Sequence, residues 1–155
     1  MNKPIVLIGF KSVGKTTIGK KLAEMWQLQW FDTDKILEER WGAPVKELFK
    51  RLGEKAFRDL EINVLEELLR FNHVVISTGG GIVEHPQFES LVLQVPCLKI
   101  HLYMPYFEIL ERIEEMPTFV GHVNLETIYH RRIPHYQKVC DMEIDVSNKG
   151  KNYAQ

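Results

Sequence analysis

The chain predicts an α/β fold, a parallel sheet with helices against both faces, and three observations carry that reading. A short apolar, β-branched run occurs at 4–8, and 73–77, 98–103 and 142–146 read as further short strands. Stretches with helical spacing separate them, and strands that are continuously apolar are strands covered on both faces. Glycines follow two of these runs directly, at Gly9 and at Gly79, Gly80 and Gly81, and in open parallel sheets ligands sit beyond the carboxyl ends of the strands.

Pro4 to Ile8 reads as a buried strand bounded by Gly9. Lys15 to Trp26 has helical spacing, with Ile18, Leu22 and Met25 on one face. Gln29 to Phe31 is a brief strand that ends at Asp32. Residues 34–40, 45–52 and 54–70 are helical, the last with Phe57, Leu60, Val64, Leu65 and Leu68 as its apolar stripe. His73 to Ser77 is a second central strand and Leu98 to Tyr103 a third. Residues 106–114 and 125–138 are helices, and 142–146 closes as a final strand; no element is assigned to 82–97.

At 155 residues the chain is expected to be one domain spanning 1–155, large enough to bury a full core. It is 45% hydrophobic and 26% charged with a formal net charge of -1, a balance that argues against a protein devoted to neutralising a nucleic-acid backbone. The apolar stretch near the start, Ile5 to Ile8, is too short for a membrane span or a signal segment. Cys97 and Cys140 lack CxxC spacing, so neither a disulfide framework nor a zinc site is expected. The expected setting is a reducing cytoplasm, and the expected state a monomer.

The first glycine-rich turn, Gly9-Phe10-Lys11-Ser12-Val13-Gly14-Lys15-Thr16, matches GxxxxGK[ST]. Gly9 and Gly14 let the backbone curl so that successive N–H groups face one anion. The following helix adds its N-terminal partial positive charge. Lys15 is placed to reach the β- and γ-phosphates, and Thr16 offers a hydroxyl to Mg²⁺. Such a loop serves kinases, switch GTPases and motors alike. No NKxD-like base-reading segment is visible and the chain is short for a motor, so small-molecule phosphoryl transfer is the leading class.

Phe31-Asp32-Thr33-Asp34 places two carboxylates at a strand's carboxyl end. One can hold Mg²⁺ through water while the other accepts a proton from a substrate hydroxyl. The alternative is an N-cap, with Thr33 or Asp34 simply starting the next helix. Arg58 and Glu61 stand three apart on one helical face, either as a carboxylate orienting a guanidinium or as a surface pair worth little. Gly79 to Gly81 permit close approach of something to the backbone. Arg131 and Arg132 sit on a late helix, which alone reads as a solvated face.

Taken together, GFKSVGKTT (9–17), FDTD (31–34), GEKAFRDLE (53–61), STGGG (77–81) and RRIPHY (131–136) resemble the shikimate kinase family in order and spacing, over residues 4–146. The resemblance implies a three-layer P-loop kinase fold like that of nucleoside monophosphate kinases, a five-stranded parallel sheet of order 2-3-1-4-5, and a lid at about 115–124. It implies transfer from MgATP to the 3-hydroxyl of shikimate, giving shikimate 3-phosphate in chorismate and aromatic amino-acid biosynthesis. ATP and its phosphates would meet Gly9, Lys11, Ser12, Val13, Gly14, Lys15, Thr16, Thr17 and Arg112. Thr16 and Asp32 would support the metal. Lys15 and Asp34 would be catalytic, with Asp34 the general base. Asp34, Arg58, Gly79, Gly80, Gly81 and Arg132 would bind shikimate, within a substrate-binding region at about 33–61, Glu61 orienting Arg58.

The chain departs from the family pattern in three places. Ser12 replaces a glycine common in the family's loop. Met116-Pro117 stands where the lid has Arg-Pro, and the arginine there reaches the γ-phosphate; Lys11 and Arg131 are the cations available to replace it, and Lys11 is expected to compensate in part. The tail after Val146 has no proline for the usual adenine loop. Two other functions share these motifs: a catalytically silent shikimate- and nucleotide-binding protein, and a related small-molecule kinase such as gluconate kinase.

Overall fold

The computed structural model describes residues 2–113 and 124–148. Five strands, β1 (Ile5–Ile8), β2 (Gln29–Asp32), β3 (Val74–Ser77), β4 (Leu98–Tyr103) and β5 (Met142–Asp145), form one sheet in the order 2-3-1-4-5 with every neighbouring pair parallel. The sheet order is thus the one the family resemblance implies. Seven helices accompany it: α1 (Lys15–Trp26), α2 (Thr33–Trp41), α3 (Val45–Leu52), α4 (Glu54–Leu68), α5 (Phe88–Gln94), α6 (Tyr106–Arg112) and α7 (Leu125–Val139), with a 3-10 turn at Ile82–Glu84.

Strand alternation divides the core into two layers. Ile5 and Leu7 of β1 face one side with Val75, Ile100 and Leu102, packed by Ala23 of α1, Ile109 of α6, and Leu125 and Ile128 of α7. Val6 and Ile8 face the other with Val74 and Ile76, packed by Leu37, Leu48, Leu65, Val92 and Val139 of α2, α3, α4, α5 and α7. All four β1 residues are fully buried, and each such side chain removed from water contributes about 1.5–3 kcal/mol. Among the described residues no helix is long and apolar enough to cross a membrane.

Strand register decides where the motifs meet. Leu7 pairs with Ser77, and Ser77 pairs with Asp32 on its other side. The turns that follow β1, β2 and β3 therefore leave the sheet at one level, carrying the phosphate loop, Asp34 and the three glycines to a common edge.

Several elements differ from the sequence expectation. The 3-10 turn and the seven-residue α5 fill a stretch to which no element was assigned; α5 lies between Pro86 and Pro96 and is too short to display helical periodicity. His73 does not begin a strand but takes φ 58 in the turn before β3. Met25, placed on the packing face of α1, is 72% exposed. The face that packs is Lys15, Gly19 and Ala23, flanked by half-buried Ile18 and Leu22. The helix axis comes closest to the sheet at Gly19, where an added Cβ would lie on Ser77 Oγ and 2.7 Å from Trp30 Nε1.

Those two atoms are bonded to each other, Trp30 Nε1 donating to Ser77 Oγ at 3.1 Å, while Ser77 Oγ donates to the Lys15 carbonyl at 2.7 Å. Two effects compete in Gly19→Ala: helix propensity favours alanine by about 1 kcal/mol, while overpacking costs about 1–3 kcal/mol. The clash falls on a paired hydroxyl and indole, so we expect net destabilisation of about 1–2 kcal/mol in urea unfolding. A variant as stable as the parent would show that α1 can lift off the sheet freely.

Candidate active site

The phosphate loop closes on its own backbone. A Cβ at Gly9 would sit 2.6 Å from the Leu102 carbonyl oxygen, and Gly14, at φ +100, caps α1 in a conformation closed to most side chains. Ser12, where the family commonly has glycine, itself takes φ 74, so the substitution puts a side chain into the left-handed region and stores local strain. Lys15 is buried, and its Nζ donates to the carbonyls of Gly9 at 2.6 Å and Phe10 at 2.8 Å. Burial pulls its pKa down to about 8, against the attraction of Asp34 and Asp32.

Asp32 does two things with two oxygens. Oδ1 accepts from the backbone N–H of Asp34 at 2.9 Å and Lys35 at 3.1 Å, so the cap of α2 is Asp32 rather than Thr33 or Asp34. Oδ2 accepts from Thr16 Oγ1 at 2.9 Å, joining the phosphate loop to the second strand. Relieved of capping, Asp34 lies in the first turn of α2 beside two other carboxylates. Its pKa is pushed up to about 7, first by burial and then by Glu61 and Asp32, with Lys15 and Arg58 opposing.

Arg58 and Glu61 are not a surface pair. Nη1 of Arg58 donates to Glu61 Oε1 at 2.6 Å, and both side chains are buried. The guanidinium carbon lies 5.5 Å from the centres of the Phe49 and Phe57 rings. Burial raises the Glu61 pKa against the pull of Arg58. Charge held this deep is costly unless every part of it is engaged, which makes this pair a site feature rather than a stabilising decoration.

The three glycines are explained by what lies against each. A Cβ at Gly79 would come within 2.6 Å of Glu61 Oε2 and 2.9 Å of Asp34 Oδ1. One at Gly80 would be 3.2 Å from the Lys11 amide nitrogen, and one at Gly81 would fall on the Arg58 guanidinium. Gly79 N–H also donates to Thr33 Oγ1 at 3.3 Å.

These groups enclose a cavity of about 510 Å³. It is lined by Lys11, Ser12, Gly14, Lys15 and Thr16 from the loop, by Asp32, Asp34, Arg58 and Glu61, and by all three glycines. Five further lining residues were given no role at the site: Val45, Lys46 and Phe49 of α3, Phe57 of α4, which reads as core, and Thr78 after β3. The available signal was the excess of apolar residues on α3, where Leu48 alone is fully buried.

Other expected contacts lie elsewhere. Val13 packs in the core, Thr17 is exposed, and Arg112 ends α6 away from the cavity lining. Arg132 is fully buried and does not line the cavity: its Nε and Nη2 donate to Glu84 Oε2 at 3.1 and 2.9 Å, and its guanidinium lies 5.7 Å from the Phe10 ring centre. Arg131 Nε holds the other Glu84 oxygen at 2.5 Å. Met116 and most of the expected lid fall in 114–123, outside the described residues.

Known proteins bear on this arrangement. The sequence profile of the shikimate kinase family matches residues 11–155. The shikimate kinase of Caldicellulosiruptor bescii is 38% identical over 149 residues, covering 92% of this chain and 86% of that one. That of Synechococcus elongatus is 42% identical over 148 residues, covering 92% and 76%. Among solved structures, the shikimate kinase of Acinetobacter baumannii in complex with shikimate superimposes with a TM-score of 0.84 at 27% identity, covering 99% of this chain and 91% of that one. A gluconokinase from Sinorhizobium meliloti shares the fold at 16% identity, with a TM-score of 0.61. With a profile match across nearly its whole length and relatives above one-third identity, the chain belongs to the shikimate kinase family.

Proposed function

We propose that this chain transfers the γ-phosphoryl group of ATP to the 3-hydroxyl of shikimate, giving shikimate 3-phosphate in aromatic amino-acid biosynthesis. The observation that carries it is a single cavity holding both halves of the chemistry: Lys15 and Thr16 of the phosphate loop face Asp34 and Arg58. Families related only by fold share the first pair; an anionic hydroxy acid as acceptor calls for the second. Shikimate would lie between the glycines and the aromatic wall of Phe49 and Phe57, with its carboxylate on Arg58. Arg132 adds positive potential from behind the glycines, where its charge already acts on Glu61.

Asp34 is the proposed base. The acceptor oxygen attacks the γ-phosphorus, the bond from that phosphorus to the bridging oxygen breaks, ADP leaves, and the hydroxyl proton passes to Asp34. A carboxylate with a pKa of about 7 is matched to that task at neutral pH. Lys15 exchanges its carbonyl partners for phosphate oxygens and steadies charge on the transferring group. Thr16 Oγ1 and Asp32 Oδ2, 2.9 Å apart, suit a hard cation that takes oxygen ligands, so Mg²⁺ would be held by Thr16 directly and Asp32 through water. Mg²⁺ would supply charge neutralisation at the β- and γ-phosphates. Free Cys97 and Cys140 accord with work in a reducing cytoplasm, and a single domain acting as a monomer completes the reading.

A coupled assay of ADP release, run with and without shikimate, tests the assignment. Turnover that depends on shikimate is the expected result. Turnover only with another polyol acid would overturn the substrate, and tight shikimate binding without turnover would identify a silent binding protein.

Asp34→Asn is expected to lower turnover by about 10²-fold or more while ATP affinity stays within about twofold. Undiminished turnover would remove Asp34 from the base role. The same variant has a stability signature with opposite sign. A folded-state pKa near 7, above the ordinary 3.8, means that ionising Asp34 destabilises the fold increasingly as pH rises between those values. Thermal unfolding of Asp34→Asn should therefore exceed that of the parent at pH 8, with the gain shrinking toward pH 5. A constant difference across that range would show that Asp34 titrates normally.

A further inference from the structure

Tyr136 and His101 form a buried polar stack that none of the reaction steps uses. Both are fully buried. Their rings are stacked, 4.9 Å between centroids and 25° between planes. His101 Nδ1 meets Glu143 Oε2 at 2.8 Å across the β4–β5 pair, and their register places these two residues directly opposite. Burial lowers the imidazole pKa against the pull of Glu143, with the Lys15 charge adding to the fall, and the nitrogen that faces the carboxylate, Nδ1, is the one that donates a proton to it. The tautomer is thereby fixed, and the flat face of the ring is presented to Tyr136.

The far end of this stack touches the glycines. The Tyr136 hydroxyl donates to the Gly80 carbonyl oxygen, and its phenol pKa is raised by burial, which keeps the proton in place for that bond. Gly80 is the middle residue of the segment whose ends lie against Asp34, Glu61 and Arg58. One turn earlier on the same face of α7, Arg132 holds Glu84 in the 3-10 turn just after that segment. The helix thus grips both the glycines and their exit.

We propose that Tyr136 is a positioning residue for the acceptor half of the site. Through the Gly80 carbonyl it fixes the glycine segment against Asp34 and Arg58, and the His101–Glu143 pair fixes Tyr136. The residue does not line the cavity, so its effect passes through the glycine segment. Its role rests on the proposed function for the substrate but not for the geometry, and the test separates the two.

Tyr136→Phe removes one oxygen and leaves the ring packed on His101. Losing the hydroxyl, which bonds the Gly80 carbonyl and also meets the Arg132 side chain, is expected to raise the KM for shikimate by about tenfold, with kcat down by less than about threefold and the KM for ATP within about twofold. In the unliganded protein, hydrogen exchange of the Gly79 amide, bonded to Thr33 Oγ1, should accelerate by about tenfold without a matching change in global unfolding. His101→Phe keeps a flat ring under Tyr136 but cuts its tie to Glu143, and should move both readings in the direction of Tyr136→Phe by a smaller factor. A Tyr136→Phe variant with parental Gly79 exchange would overturn the proposal. So would one in which the affinities for ATP and shikimate fall equally, since that is general loosening. If the parent fails to turn over shikimate, the functional assignment falls, and the exchange measurement alone still decides the role of Tyr136.

Discussion

A Cβ anywhere on the Gly79–Gly81 segment would press on one of the three walls it joins, and the candidate site depends on that close approach. The carboxylates of Asp34 and Glu61 crowd the first glycine, the phosphate-loop backbone the second, and the Arg58 guanidinium the third. A segment with side chains would force these walls apart and separate the phosphate donor from the acceptor pocket. The parallel sheet makes the approach feasible, because register brings the carboxyl ends of β1, β2 and β3 to one level. The core beneath holds that level rigidly, with interiors packed too tightly to absorb a shift.

The charges around the segment are balanced for a ligand rather than for the empty protein. Lys15 and Asp34 are both driven toward their neutral forms by burial, Lys15 to about 8 and Asp34 to about 7. Glu61 is driven the same way although it holds Arg58. Groups so poised bind an incoming triphosphate and carboxylate with gains that their own mutual contacts do not supply, and they exchange protons near neutral pH. The stability lost to this crowding is the familiar opposition between an active site and a well-satisfied core.

Much of this was legible in the sequence. The phosphate loop, the two aspartates, Arg58 with Glu61, and the glycines are short-range patterns whose chemistry demands those residue types at those spacings. What was not legible depends on distances between segments. Apolar spacing put Met25 on the packing face of α1, because hydrophobicity ranks methionine above glycine, whereas the sheet admits only Gly19 at the closest point. Asp32 as both helix cap and Thr16 partner follows from the angle at which β2 enters α2. Phe57 reads as core because an apolar wall of a cavity and an apolar core have the same pattern. Arg132 was expected in the pocket beside Arg58, and its burial against Glu84 follows from the 3-10 turn, which no periodicity announces.

The central claim is that the glycine segment sets Arg58 for the acceptor, and Gly81→Ala tests it. Gly81 has φ -92 and ψ 0, a conformation open to alanine, and the three atoms nearest the new methyl group all belong to the Arg58 guanidinium. Calorimetric titration should find shikimate affinity reduced by about 10- to 100-fold, with ATP affinity close to the parent and thermal stability lowered through the disturbed Arg58–Glu61 pair. Parental shikimate affinity in Gly81→Ala would contradict the account, because it would mean that the position of Arg58 against the glycines does not matter to the acceptor.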